Sequence, residues 1–290
     1  MRFSVELSSN CDPTDIAEHA RIIEKYGFYR VWLRDMIIAP WELWTALSTV
    51  VLSTNKIRVG IDVANPYTRS PVVMAHAAAT MNSISKGRLD LGFGAGISGF
   101  LKRIGIEKKD GALKECVQIV RSLLNGNKTS FIGKVFQINE IQLPTLPYRE
   151  KIPIFIAAMD EKDFRLAREI SDGVLTISAN EKFLKKALRW IDKGDEVIPL
   201  ATWLPFSLSR EKLSPYIQMI GPQLPINFWE LIKVDRDELT NDELINIFAI
   251  CGDKDLKNKV ERLENIGMSE IIFEYFNLSE LKELESLLKK

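Results

Sequence analysis

The sequence is poor in the residues that build metal sites and disulfide frameworks. It has three cysteines and two histidines in 290 residues. Cys11, Cys116 and Cys251 are far apart, and neither histidine belongs to an HxxxH or HExxH pattern, so we expect no metal site. An odd number of cysteines without a disulfide spacing is typical of a reducing compartment, and we expect a cytoplasmic protein.

The sequence also lacks an excess of charge of either sign and long apolar runs. Lys plus Arg and Asp plus Glu both total 39, which argues against nucleic acid or an anionic membrane as a partner, because both attract clustered positive charge. The N-terminus shows no apolar core of a signal peptide, and no run approaches the 18 apolar residues of a membrane helix. We therefore expect a small-molecule substrate, with neither a nucleic acid nor a membrane as partner.

What the sequence does contain is a regular alternation of short apolar runs with segments of helical period. The predicted strands are Phe3–Leu7, Arg30–Leu33, Ile57–Val63, Arg88–Phe93, Ile154–Ala157, Val174–Ile177, Val197–Leu204 and Glu270–Phe273. A β-hairpin over Thr129–Ile138 interrupts the alternation, and Arg210–Ile250 is a longer helical stretch broken by prolines. Eight β-then-α units with apolar strands favour an α/β fold, a closed (β/α)₈ TIM barrel, over a doubly wound open sheet. We expect a single domain over residues 1–290.

In such a barrel, binding groups lie at the carboxyl ends of the strands and in the loops that follow. The positions selected by this rule are Glu6, Asp35, Asp62, Val63, Gly94–Gly96, Ala158 and Ser178. The glycines at 94 and 96 would let the backbone approach a ligand and expose N–H groups to an anion. A tight barrel turn is the alternative, and the run lacks the GxGxxG spacing of a dinucleotide fingerprint.

Two carboxylates at strand ends are the candidate reactive groups. Glu6 lies near the end of the first strand, where an acid inside a barrel is costly unless it is paired or functional; the alternative is that it faces a helix and meets a lysine. Asp35 directly follows the second strand and is either a polar ligand or a helix cap. His19 lies on the first helix and is expected at the surface, so no Ser-His-Asp set is indicated.

The strand-end residues lie within longer stretches that resemble a known family. The stretches are MRFSVEL, WLRDM, VLSTNKIRVGIDVANPYTRSP, ISKGRLDLGFGAG, LKRIGI, GKVFQI, IPIFIAA and SDGVLTIS. In this order they resemble the luciferase-like flavin and deazaflavin oxidoreductases, and among these the F420-dependent methylenetetrahydromethanopterin reductases.

The resemblance implies a TIM barrel with an inserted hairpin, a cis peptide bond between Asp62 and Val63, and a homodimer or larger homo-oligomer. It implies a reaction in one-carbon metabolism in which Glu6 lies near the reacting pterin and Asp35 near the cofactor's polar edge. The cofactor contacts that it implies fall on Asp35, Asp62, Val63, Ala95, Gly96, Ala157, Ala158, Ser178 and Ala179.

Three positions depart from the family pattern. Met36 stands where the family usually has a histidine, Ile97 where the reductases commonly have an aspartate, and Asn180 where related deazaflavin enzymes often have a lysine. Three hypotheses follow: a reductase that uses coenzyme F420 on a methylene-pterin, an FMN-dependent monooxygenase or flavin reductase, and a barrel that binds flavin without catalysis.

Overall fold

The structure of the protein is a computed structural model that describes residues 1–36, 39–148, 151–194, 196–220, 224, 226–235 and 238–289. Eleven strands lie within these ranges. They are β1 (Arg2–Glu6), β2 (Arg30–Leu33), β3 (Arg58–Ile61), β4 (Leu89–Phe93), β5 (Thr129–Ile132), β6 (Gln137–Ile141), β7 (Ile154–Ala157), β8 (Gly173–Thr176), β9 (Leu200–Ser207), β10 (Ile250–Cys251) and β11 (Glu270–Glu274).

Eight of the strands close into a parallel barrel. Their order is β1-β2-β3-β4-β7-β8-β9-β11, and β11 pairs with β1 from Arg2 opposite Glu270 to Glu6 opposite Glu274. β5 and β6 form a separate antiparallel hairpin, and β10 adds to the end of β9. The predicted TIM barrel is confirmed, and closure leaves no open edge between the first and last strands.

Helices lie between the strands. They are α1 (Ile16–Tyr26), α2 (Leu43–Ser53), α3 (Pro71–Ile84), α4 (Ser98–Arg103), α5 (Ala112–Leu124), α6 (Glu161–Ile170), α7 (Glu181–Ile191), α8 (Arg210–Ile220), α9 (Ile226–Ile232), α10 (Asn241–Phe248), α11 (Gly252–Asn265) and α12 (Leu278–Leu288). Local sequence sets their ends: Ser70 accepts a hydrogen bond from the Val72 N–H ahead of Pro71, and Gly27 ends α1 with a φ of +80°. No helix in the described ranges is long and apolar enough to cross a membrane.

Several predicted boundaries were wrong, for local reasons. The seventh barrel strand begins at Leu200 and not at Val197, whose side chain is exposed. The third ends at Ile61, before the Asp62–Val63 peptide. Helix α4 and strand β10 were not predicted, because six-residue and two-residue elements carry too little periodicity.

Side chains fill the barrel interior in layers. The middle layer is apolar and consists of Trp32, Phe155, Leu175, Ala201, Trp203 and Ile272. Glycine makes room for its rings: a Cβ at Gly60 would clash with the ring of Trp32, and one at Gly173 with the ring of Phe155. Because the middle is full, a ligand must bind outside the carboxyl ends of the strands.

Charged side chains close the other end of the barrel. Asp90 lies 3.0 Å from Nε of Arg30 and accepts a hydrogen bond of 2.8 Å from Nε of Arg58. Glu270 accepts a hydrogen bond of 2.9 Å from Trp32 Nε1 and lies 3.5 Å from Nη1 of Arg30. We call Arg30, Arg58, Asp90 and Glu270 the barrel floor; it ties β2, β3, β4 and β11 together.

The prediction for His19 was wrong. Its side chain is buried, and Nδ1 lies 2.8 Å from the hydroxyl of Tyr275, which follows β11. Burial lowers the pKa of His19. His19 therefore joins α1 to the segment that follows β11 in the interior of the protein.

Candidate active site

Two glutamates meet inside the barrel mouth. Glu6 ends β1 and Glu274 ends β11, and the parallel register puts them opposite each other. Both side chains are buried, because alternate residues of a barrel strand face the interior. Two neighbouring acids without water contact need cations or donors to hold them.

Arg34, directly after β2, bridges the two acids. Its Nε donates to Glu6 Oε1 over 2.5 Å, and its Nη2 donates both to the other oxygen of Glu6 and to Glu274 Oε2, the latter over 2.7 Å. The planar guanidinium fits such a two-pronged contact with one carboxylate. The alternative that Glu6 faces a helix and meets a lysine was therefore wrong.

Two aromatic side chains complete this group. Trp203 in β9 donates its indole N–H to Glu6 Oε2, and Tyr216 in α8 donates its hydroxyl to Glu274 Oε2. Tyr216 also accepts a hydrogen bond of 2.7 Å from Arg34 Nη1. The ring centroids of Trp203 and Tyr216 are 5.8 Å apart. We call Glu6, Arg34, Trp203, Tyr216 and Glu274 the acid cluster.

The acid cluster shifts the proton affinity of Glu6. Burial raises the pKa of Glu6 to about 7, against the opposing effect of Arg34 and with a further increase from the charge on Glu274. A carboxyl with such a pKa can hold or release a proton near neutral pH. That property suits a general acid or base.

Asp62 and Val63 lie beside the acid cluster. The peptide bond between them is cis, as the resemblance implied. Burial raises the pKa of Asp62 well above its usual range, and the charge on Glu6 adds to this. No described residue forms a hydrogen bond with Asp62 Oδ1, which is buried. A buried carboxyl oxygen without a protein partner is a position where a ligand could supply one.

Small residues bring the ends of three strands together around Val63. A Cβ at Gly94 would lie 2.6 Å from Val63 Cγ2 and 3.4 Å from Cβ of Ala157. Gly94 is therefore needed for the close approach of Val63 to the ends of β4 and β7. Val63, Gly94 and Ala157 therefore lie on one side of the mouth.

The loop after β4 continues that side. Ala95 is exposed and Gly96 has a φ of +71°, where a side chain would be strained and would also crowd Leu101. Ile97 precedes α4 and forms no side-chain cap there. The loop therefore offers backbone and small side chains to a ligand, and Ile97 stands where the resemblance to the reductases implies an aspartate.

The loop after β8 uses its polar groups internally. The Ser178 N–H donates to Thr202 Oγ1 over 3.1 Å, and the Ala179 N–H donates to the Ile247 carbonyl over 2.6 Å. Asn180 caps α7 by accepting a hydrogen bond of 3.1 Å from the Phe183 N–H. These two amides are already engaged and would not hold a phosphate group.

The Ala158 amide is engaged as well. Its N–H donates to the Leu175 carbonyl over 2.9 Å, and its carbonyl accepts from Thr176 Oγ1 over 2.8 Å. Its side chain is buried. Ala157, one residue earlier, is half-buried and faces the barrel interior, so of the two alanines it is the better placed to touch a ligand at the mouth.

Asp35 belongs to a separate group on the rim. Arg69 Nη1 donates to Asp35 Oδ2 over 2.7 Å, and Arg69 Nη2 donates to Glu42 over 2.5 Å. Burial raises the pKa of Asp35, against the opposing effect of Arg69. The cap of α2 is Glu42, which accepts from the Thr45 N–H, so the interpretation of Asp35 as that helix's cap was wrong.

The mouth suits a planar organic ligand. It presents small apolar side chains, a glycine loop and a buried, unpartnered carboxyl oxygen beside an acid that titrates near neutrality. Within the described ranges, no group of three His, Cys, Asp or Glu side chains could hold a metal ion. The side chains at the mouth can position a ligand and, through Glu6, transfer a proton.

Sequence reasoning missed Arg34, Tyr216 and Glu274. Glu274 could have been found by extending the last strand by one residue, from Phe273 to Glu274. Arg34 alternates with Arg30 and Trp32, and so faces the interior in the same way. Tyr216 lies in a stretch without a recognisable pattern, so no sequence signal marked it.

Comparison with known proteins gives one family and several relatives. The family model described as luciferase-like monooxygenase matches residues 1–197. The 5,10-methylenetetrahydromethanopterin reductase of Archaeoglobus fulgidus is 34% identical over 310 residues, which cover 94% of this chain and 92% of that protein. An F420-dependent glucose-6-phosphate dehydrogenase of Nakamurella multipartita is 26% identical, over 94% of this chain and 90% of that protein.

A solved structure shares the fold over the full length. The coenzyme F420 dependent tetrahydromethanopterin reductase from Methanopyrus kandleri superposes with a TM-score of 0.87 at 21% identity, covering 100% of this chain and 97% of that one. At this identity the likeness concerns the barrel architecture and not the chemistry.

Proposed function

Because the chain belongs to the luciferase-like monooxygenase family, we propose that it is an oxidoreductase that transfers a hydride from reduced coenzyme F420 to a methylene-tetrahydromethanopterin-like substrate. The observation that carries this proposal is Glu6, a buried acid with a pKa raised to about 7 at the strand ends of the barrel. The similarity to a reductase of that name over nearly the whole chain supports the substrate class.

Residues on one side of the mouth would hold the cofactor. Val63, Gly94 and Ala157 lie together and would support a flat ring, while Ala95 and Gly96 would approach it through the loop after β4. Asp62 would form a hydrogen bond with a polar edge of the ring through its unpartnered Oδ1. Ser178 would contact the cofactor by donating its hydroxyl hydrogen, since its amide and its carbonyl are both engaged by Thr202. Ala179 would contact it through its side chain or carbonyl, since its amide is engaged.

When bound, reduced F420 supplies the hydride. The chain's own contribution is to orient the reactants, exclude water and place charge. Glu6 would face the electrophile and stabilise positive charge on it, or donate a proton to its leaving nitrogen. Asp35, held by Arg69 on the rim, would position the outer part of the cofactor.

The direct test is to mix the purified protein with reduced F420 and methylenetetrahydromethanopterin. Oxidation of the coenzyme is monitored through the absorbance of its oxidised form. We expect multiple turnovers with this substrate and none when oxidised F420 is offered with glucose 6-phosphate. Turnover with the sugar phosphate and none with the pterin would contradict the proposed substrate class. Glucose 6-phosphate is the comparison because one relative is named for that reaction.

The second candidate is an FMN-dependent monooxygenase or flavin reductase. The description of the matching family model as a monooxygenase favours it. Titration with F420 and with FMN, followed by quenching of cofactor fluorescence, separates the two. Binding of FMN alone would defeat the F420 proposal, and F420 binding without any reduction would favour the barrel that binds its cofactor without catalysis.

The chain is further proposed to form one domain over residues 1–290 and to assemble as a homodimer or larger homo-oligomer in the cytoplasm. Pairing of β1 with β11 joins its first and last strands and supports the single domain. Light scattering on the purified protein tests the assembly; a mass near the 33.0 kDa of one chain would contradict it.

A further inference from the structure

Glu274 is the acid of the mouth to which the proposed reaction assigns no role. It is fully buried, and both of its oxygens accept hydrogen bonds from the protein. Ser9 Oγ donates to Oε1 over 2.8 Å, and Arg34 Nη2 and the Tyr216 hydroxyl donate to Oε2. With both oxygens engaged by the protein, Glu274 acts on Arg34 and Glu6 rather than on a ligand.

Every side-chain nitrogen of Arg34 contacts a member of the acid cluster. Nε and Nη2 contact Glu6, Nη2 also contacts Glu274, and Nη1 contacts Tyr216. The orientation of the guanidinium in front of Glu6 therefore depends on Glu274 and Tyr216 as much as on Glu6 itself. Tyr216 comes from α8, outside the barrel strands, and its ring packs on Trp203 and Phe276.

We propose that Glu274 and Tyr216 are positioning residues that hold Arg34 against Glu6 and set the protonation state of Glu6. The inference rests on the proposed function in assuming that Glu6 serves the reaction. The charges themselves act whether or not a cofactor is bound, so the inference can be tested on the protein alone.

The charged and titratable groups that face Glu6 give the sign of each effect. They are Arg34 after β2, Asp62 after β3, Tyr216 in α8 and Glu274 in β11. The negative charge of Glu274 opposes ionisation of Glu6, and the hydroxyl of Tyr216 reduces that effect by donating to Glu274. Glu274→Gln removes the charge but keeps an oxygen that can accept from Arg34, so it should lower the pKa of Glu6. Removing the Tyr216 hydroxyl should raise the pKa of Glu6.

Trp203 supplies a reporter that needs no cofactor. Its indole N–H donates to Glu6, so its ¹H–¹⁵N resonance should follow the ionisation of Glu6 with pH. The chain has six tryptophans, which gives a short set of indole signals, and Trp203→Phe assigns the relevant one by its disappearance. Glu6→Gln should abolish the titration; if the signal still titrates with the same midpoint, another group is responsible and the proposal fails.

For the wild-type protein we expect a midpoint near pH 7. Glu274→Gln should lower it by about one pH unit or more, and Tyr216→Phe should raise it by about half a unit, since a like charge has a larger effect than one hydrogen bond. Ser9→Ala removes a donor from the other oxygen of Glu274 and should also raise the midpoint. Ser9→Ala gives a second measurement if circular dichroism shows that Glu274→Gln or Tyr216→Phe is unfolded.

Tyr275→Phe is the matched control. It removes a buried hydroxyl one residue after Glu274, but that hydroxyl contacts His19 outside the acid cluster. We expect the midpoint to remain at the wild-type value. Equal midpoints in the wild type, Glu274→Gln and Tyr216→Phe would overturn the positioning role, as would shifts of the same sign in the two variants.

These outcomes are distinct from failure of the proposed function. Absence of F420 turnover together with opposite shifts of the Trp203 signal would refute the reaction and keep the positioning role. If turnover is present, the kcat–pH profiles of the same variants should move in the same directions as the indole midpoints. Turnover with an unmoved indole signal would do the reverse: it would keep the reaction and refute the positioning role.

Discussion

At the scale of single residues, carboxyl side chains have different environments at three places in the mouth. Glu6 is held by Arg34 and Trp203, and burial raises its pKa to about 7. Asp62 is half-buried, with its buried Oδ1 unpartnered among the described residues, and Asp35 pairs with Arg69 on the rim. Burial and neighbours, and not the carboxyl group itself, decide which acid can exchange a proton.

Glu6→Gln tests the role of Glu6 in the reaction. The amide keeps the size of the side chain but can neither donate a proton reversibly nor carry the negative charge, so turnover should fall by about 10²- to 10⁴-fold. The cofactor dissociation constant, measured by fluorescence titration, should stay within about 2-fold because Glu6 faces the electrophile. Unchanged turnover would remove Glu6 from the mechanism.

Asp62 gives a matched pair of variants. Burial raises the pKa of Asp62 well above its usual range. The amide of Asp62→Asn keeps the shape and the carbonyl acceptor of the side chain, so this variant should bind cofactor nearly as well as the wild type. Asp62→Ala removes the partner for the ring edge and should weaken binding about 10-fold, as expected for one hydrogen bond. Equal affinities for the alanine variant and the wild type in the same titration would show that Asp62 does not contact the cofactor.

At the scale of elements, the end of β4 depends on glycine because β3 and the Val63 segment approach it closely. Gly92→Ala would put a methyl group against the Ile61 carbonyl oxygen, where backbone must move. We expect a loss of about 3 kcal/mol in the free energy of unfolding, measured with urea and circular dichroism.

Gly99→Ala provides the control for this change. Gly99 lies in α4 and nothing is within 4 Å of its added methyl group. Alanine should therefore leave stability unchanged or raise it by up to about 1 kcal/mol through helix propensity. Similar losses at both positions would show that the contact with β3 is not the cause.

At the scale of the whole molecule, the barrel is polar at both ends and apolar between them. The barrel floor ties four strands through Asp90 and Glu270, and the acid cluster ties β1 and β11 to the loop after β2 and to α8. The apolar middle layer lies between the two charged groups. At both ends of the closed barrel, charged side chains from distant segments of the chain therefore meet.

Asp90→Asn tests the floor. The change leaves Arg30 and Arg58 without their shared carboxylate in a buried setting, and the free energy of unfolding should fall by about 3–5 kcal/mol. The surface pair Lys114 with Glu169 is the comparison, since Glu169→Gln should change stability by less than about 1 kcal/mol. A loss below about 1 kcal/mol in Asp90→Asn would mean that the floor does not stabilise the barrel.

The sequence by itself determined the barrel fold and the position of Glu6 at a strand end. Apolar strands alternating with amphipathic helices have few arrangements that bury both faces of a parallel sheet, and strand-end acids such as Glu6 could be read from that order. The cis peptide at Asp62–Val63 came from resemblance alone. Only the tertiary structure decided the partners of Glu6, because Arg34, Tyr216 and Glu274 are separated by up to 240 residues and meet only when β11 closes on β1. Proton affinity depends on such through-space neighbours, which hydrophobic periodicity along a chain does not encode.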